Sequence, residues 1–95
     1  MLKYELSEHA KEDLIRIFEY GVYQFGIKQA DDYYDLLFTY FDSIARNPYS
    51  FATVDYIKLG YRRCVCKSNS IFYMVLESNI EIRAIVGNQD IQAIS

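Results

Sequence analysis

The feature that most constrains this chain is a pair of helical periodicities joined by almost nothing. Beyond Ser7, the residues Ala10, Leu14, Ile17, Phe18, Gly21 and Phe25 recur at helical spacing, and Gly26 offers a C-terminal stop. A second stripe follows at once: Ala30, Tyr33, Tyr34, Leu37, Phe41, Ile44 and Ala45, with Asp31, Asp32, Asp35 and Asp42 turned the other way. Ser7 is suited to cap the first helix, with Glu8 in its first turn, where the helix dipole favours negative charge. Asn47-Pro48 closes the second, because the proline ring disfavours a helical residue before it. The spacing predicts helices over 7–25 and 28–46. With so short a connection they fold back on each other as an antiparallel hairpin. Neither helix can bury its stripe alone.

The missing surface is written as strands. Leu2, Tyr4 and Leu6 alternate onto one side of a short N-terminal run, and after a loop over 48–59 three β-rich runs follow at 61–66, 70–76 and 80–86. The polar breaks 67–69 and 77–79 between them are of the kind that close hairpins. The order is therefore β-α-α-β-β-β. The expected fold is α+β: a two-helix hairpin packed on one face of a four-stranded, mainly antiparallel sheet. A chain of 95 residues is expected to be a single domain spanning 1–95, hiding roughly two thirds of its unfolded surface around one modest core.

Several kinds of chemistry drop out on counts alone. Two cysteines and one histidine cannot supply the four ligands of a zinc site, and neither phosphate-cradling glycine motif is present, so no metal or cofactor is expected. Cys64 and Cys66 lie about 6.6 Å apart along one strand and point the same way, which places them poorly for bonding each other. As free core thiols they agree with a reducing compartment. No apolar run is long enough to span a membrane and the N-terminus lacks the centre of a signal peptide; a cytoplasmic protein is expected. A net charge of -3 argues against broad contact with nucleic-acid phosphates. Ten tyrosines and six phenylalanines point instead to a protein interface.

The residues that could carry chemistry are the arginines. Arg62, Arg63 and Arg83 lie in runs expected to neighbour each other in the sheet, flanked by Lys58 and Lys67. Such a cluster can hold a phosphate, stabilise a scissile phosphate, or meet acidic side chains of a protein partner. RNA cleavage would also require a proton-transfer group beside them. The final VGNQDIQAIS contains neither His nor Tyr, and His9 belongs to the first helix, which leaves Tyr73 as candidate acid or base.

Read in order, "LSEHAKEDLIRIFEY", "FGIKQADDYY", "IARNP", "GYRRC", "IFYMV" and "IEIRAIVGNQD" resemble the ParE branch of the RelE/ParE toxin superfamily over nearly the whole chain. The resemblance implies the same β-α-α-β-β-β arrangement, with the first strand beside the last. It implies a toxin of a type II toxin-antitoxin pair that blocks DNA gyrase by protein binding and is not an enzyme. It further implies a cognate ParD-like antitoxin that wraps the toxin, carries the DNA-binding element of the pair, and builds larger hetero-oligomers with it; no direct DNA binding by this chain is expected. Target contact then falls to Arg62, Arg63, Arg83 and Asp90, and antitoxin contact to exposed hairpin aromatics, Tyr20, Tyr23 and Tyr40. Val86 and Asn69 stand where relatives often carry His, and Gln89 where Met is usual. The missing histidines weigh against the first alternative, a RelE-like messenger RNA endoribonuclease; the altered tail leaves room for a second, a non-toxic interaction module.

Overall fold

The computed structural model describes residues 2–88. Its elements run β1 (Lys3–Leu6), α1 (Glu8–Phe25), α2 (Ile27–Arg46), β2 (Arg62–Cys66), β3 (Asn69–Val75) and β4 (Asn79–Gly87). The expected architecture is therefore present. The strand order is β1-β4-β3-β2, with β1 parallel to β4 and the other two pairings antiparallel. The sheet is mixed, mostly antiparallel, and the first strand lies beside the last.

Local chemistry explains the helix ends. The Ser7 hydroxyl accepts the Ala10 N–H at 3.1 Å, and Gly26, at φ 91°, turns the chain in a conformation that side chains resist. The two helices meet closely at Gly21: a Cβ there would stand 3.2 Å from that of Ala30. Such contact keeps the hairpin tight.

The main core lies between hairpin and sheet. Leu14, Leu37, Phe41 and Ile44 from the helices pack on Cys64, Cys66, Ile71, Tyr73, Ile80, Ile82 and Ile85. Both thiols are free and buried, as expected, and burial pushes Cys64 up to about 11. Two expectations fail at the margin of this core. Phe25 is 62% exposed because it ends α1 at the hairpin tip. Tyr34 is at the border of exposure, with its ring edge-on to Phe18 and tilted against Phe38.

A second, smaller cluster occupies the opposite face of the sheet. Val54 and Tyr61 from the connecting loop cover Phe72 and Ala84, with Ile57, Met74 and Val86 around them. The loop reaches this position by running along the open edge of β2, where the Val54 N–H donates to Tyr61 O and the Arg63 N–H to Ala52 O. Among the described residues no helix is long and apolar enough to cross a membrane.

Candidate functional site: an arginine face and a hairpin groove

Strand order decides where the arginines go. Because β3 lies between β2 and β4, Arg62 and Arg63 do not neighbour Arg83 in the sheet, contrary to the sequence expectation. Pairing separates Arg62 from Arg63 as well. Arg62 is opposite Tyr73, on the helix-bearing side, where its Nη1 donates to Phe51 O at 2.8 Å and its guanidinium lies 5.0 Å from the Tyr49 ring centroid. It straps down the segment that follows α2. Arg63, opposite Phe72, is on the other face, and its Nε donates to Ser70 Oγ at 2.8 Å.

Arg83 reaches that same face through a β-bulge. The β3–β4 register shifts between Phe72, paired with Ala84, and Tyr73, paired with Ile82, so Arg83 is the extra residue. Ile82 and Ile85 then both point at the helices, while Arg83 and Ala84 share the loop-covered face. Past the end of β1, the cap residue Ser7 and the α1 side chain of Asp13 take over the edge of β4. The Ser7 N–H donates to Ile82 O and its hydroxyl to Arg83 O, and the Ile85 N–H donates to Asp13 Oδ2 at 2.9 Å. Asp13 is buried and also pairs with Arg16 at 2.6 Å and with His9 at 3.5 Å. Reading α1 as an apolar stripe with a polar back missed it.

The Arg83 side chain is equally constrained. It forms an ion pair with Glu81 and lies over the Tyr61 ring, 5.8 Å from its centroid; the bond to Glu81 is the main cause that holds its pKa above the ordinary value. Tyr61 is itself buried against Phe72. The covering loop carries the exposed Tyr56 and Leu59. Arginine and tyrosine are among the residues enriched in protein-binding hot spots. Asp90, the fourth residue expected here, lies outside the described residues.

Tyr73, by contrast, is in no position to move protons. It is completely buried, its hydroxyl donates to Pro48 O at 2.7 Å, and burial pushes its pKa up to about 12. Asn69 is occupied structurally as well. Its amide donates to the Tyr33 hydroxyl, which donates to Cys66 O, so the start of β3 is tied to α2. Val86 packs in the second cluster.

The antitoxin candidates separate too. Tyr20 and Tyr23 are 62% and 85% exposed, whereas Tyr40 is partly buried against the main core. Tyr20 lines an open groove of about 790 Å³ between the hairpin and the β2–β3 turn, together with Ile17, Phe25, Leu36, Arg16 and Lys67. Phe25, lost to the core, is thus recovered as a groove wall.

The family model described as "ParE toxin of type II toxin-antitoxin system, parDE" matches residues 4–91. The chain belongs to the ParE toxin family. Toxin ParE1 of Caulobacter vibrioides is 37% identical over 75 residues, covering 79% of this chain and 78% of that protein. A solved structure from the chromosomal ParDE TA system of P. aeruginosa superposes with a TM-score of 0.81 at 18% identity, over 92% of this chain and 96% of that one. The agreement in fold extends to a protein with little sequence in common. In this ParE-family toxin, then, the sheet presents Arg63 and Arg83 away from the helices, and the hairpin leaves Tyr20 and Tyr23 exposed.

Proposed function

We propose that this toxin arrests bacterial growth by binding a protein target, without catalysis, and that DNA gyrase is the first target to test. The carrying observation is the fixed arginine face: Arg83 held by Glu81 and Tyr61, Arg63 held by Ser70, with exposed Tyr56 and Leu59 on the loop that covers the same face. Pre-ordered arginines beside aromatic rings bind protein surfaces well, because little side-chain freedom is lost on contact. Asp90 is proposed to extend this face, and Arg62 is proposed to contribute through the loop it holds.

The same reading gives the toxin a ParD-like antitoxin partner, seated on the hairpin groove. An apolar helix of the partner laid against Ile17, Tyr20, Phe25 and Leu36 would bury rings that are otherwise exposed or half-exposed, and Tyr23 stands near on the same helix. The pair would work in the cytoplasm as one toxin domain per chain, assembled into larger hetero-oligomers. The test is induced expression without antitoxin, followed by a gyrase supercoiling assay with purified toxin. Filamentation with inhibited supercoiling is expected. Arrest with supercoiling untouched would move the target elsewhere, and unimpeded growth would leave a non-toxic interaction module.

One observation favours a second reading. Glu81 is a carboxylate able to carry a proton beside Arg83, the arrangement a RelE-like endoribonuclease would use. Its engagement by Arg83 is why we rank this reading second. Cleavage of RNA by the purified chain, lost in Arg83→Ala, would reverse the order.

A further inference from the structure

We propose that Glu81 and Tyr61 are positioning residues for Arg83, setting the direction in which its guanidinium meets the target. The inference rests on the reading that Arg83 touches the target. It goes beyond it by assigning the two residues that make the contact effective.

The backbone around Arg83 is fixed before the side chain is. A bulge residue is the least constrained position in a ladder, yet here both sides of Arg83 are fastened: before it the Ile82 carbonyl accepts the Ser7 N–H, and after it the Arg83 carbonyl accepts the Ser7 hydroxyl and the Ile85 N–H is held by Asp13. The Cα of Arg83 is therefore held from α1. Its side chain is then aimed from the sheet. Glu81, two residues earlier on the same face, takes one edge of the guanidinium, and the Tyr61 ring supports its plane. Tyr61 cannot move freely, since its own ring is packed on Phe72 with centroids 6.4 Å apart.

An arginine carries five N–H donors in a planar fork, and Glu81 accepts from Nη1, one corner of that fork. The Arg83 side chain retains 38% exposure. A partner's carboxylate or main-chain carbonyl can therefore approach the remaining donors without displacing Glu81. Two effects oppose each other here. Glu81 neutralises part of the charge that would attract an acidic target, but it also removes the cost of ordering a long side chain. The positioning role holds only if ordering wins.

The experiment compares the full-length toxin with Arg83→Ala, Glu81→Gln, Tyr61→Leu and the double variant Glu81→Gln/Arg83→Ala. Toxin per cell at half-maximal growth is read by quantitative immunoblot, with melting temperature measured on each purified protein. Glu81→Gln, an isosteric change at a partly exposed side chain, is expected to raise the toxin level needed by about tenfold at a nearly unchanged melting temperature. It should add nothing in the Arg83→Ala background, because a positioning residue has no effect once the group it positions is gone. A merely structural Glu81 would add its loss to that of Arg83. Glu81→Gln as potent as the unmodified chain, or more so, overturns the inference while leaving the Arg83 contact standing. Arg83→Ala with full potency, or an unmodified chain that never slows growth, overturns both. RNA cleavage abolished by Glu81→Gln makes Glu81 catalytic and also overturns it. Tyr61→Leu, normalised for any loss of soluble protein, is expected to follow Glu81→Gln.

Discussion

The two faces of the sheet are packed by different means. On one side two long helices bring Leu14, Leu37, Phe41 and Ile44 down onto a continuous floor of isoleucines, cysteines and Tyr73. On the other, a loop without regular structure brings Val54, Ile57 and Tyr61 onto Phe72 and Ala84. The helical cover buries its stripe with its main-chain groups paired internally except at the ends, where Ser7 caps α1 and the Leu2 N–H donates to Ala45 O. The loop cover must borrow partners, and it takes them from the edge of β2 and from Arg62. The contrast teaches where this small toxin can place function: the helix face supplies stability, and the loop face, thinner and more polar, leaves arginines accessible at its margin.

The contrast can be broken most sharply by removing one phenylalanine from each side. Phe41→Ala empties the centre of the main core, where neighbours on three elements cannot collapse, and is expected to cost about 3–5 kcal/mol. In a domain this small that loss nears total unfolding. Phe72→Ala is expected to cost less, about 2–3 kcal/mol, because the loop above it can settle into the space. Urea denaturation of both variants measures the pair; equal losses would mean that the loop is as rigid a lid as the hairpin.

Asp13→Ala tests the seam between the two faces. The change strips the buried Ile85 N–H of its acceptor and frees Arg16, for an expected loss of about 2–3 kcal/mol. Asp13→Asn, which keeps an oxygen for the N–H, should recover about half of it. Hydrogen exchange at Ile85 reports the same event locally: protection should fall in the alanine variant and return in the asparagine one.

How much of this was legible follows from which interactions are local. The helices, their caps and the hairpin rest on neighbours in sequence, so Ser7, Gly26 and Asn47-Pro48 announced them, and every strand was found within a residue at either end. The arginine site was misread although consecutive hairpins already place β3 between β2 and β4: runs close in sequence were treated as neighbours in the sheet, and which face each arginine takes depends on the pairing register. The bulge did leave a trace. Ile80, Ile82 and Ile85 break the period of two by one residue, which is the signature of an inserted position before Ile85. Asp13 left none, since its burial is required only once β1 has ended and an unpaired N–H has appeared on β4. The partial burial of Tyr40 left none for a related reason, as a tyrosine at the rim of a stripe reads the same whether its ring turns in or out.

Tyr73 sharpens the comparison through pH. Its hydroxyl is neutral in the fold with a pKa of about 12, against 10.0 when exposed. A proton that leaves the unfolded chain first favours unfolding, so this contribution to stability is complete below about pH 10 and is lost as pH rises from there towards 12. Tyr73→Phe is expected to cost about 1–2 kcal/mol at pH 8, where the Pro48 carbonyl loses its donor, and to flatten the alkaline fall. Urea midpoints for both proteins at pH 8 and pH 11 provide the check; parallel declines would mean that other tyrosines carry the alkaline sensitivity.

The smallest expected effect belongs to Arg62, and it discriminates best between the two kinds of cover. Arg62→Lys keeps the charge but loses the planar fork, and with it the bond to Phe51 O and the stacking on Tyr49. The lost contacts are partly exposed, so the expected change in stability is about 0.5–1 kcal/mol. What should change more is the loop: local exchange rates over 49–54 should rise, while those of the hairpin stay as they were. If growth arrest weakens along with that loosening, the loop cover is part of the binding surface and Arg62 acts on the target through it. If arrest is untouched while the loop is measurably freer, target contact depends on Arg63 and Arg83 alone, and the strap by Arg62 serves the fold.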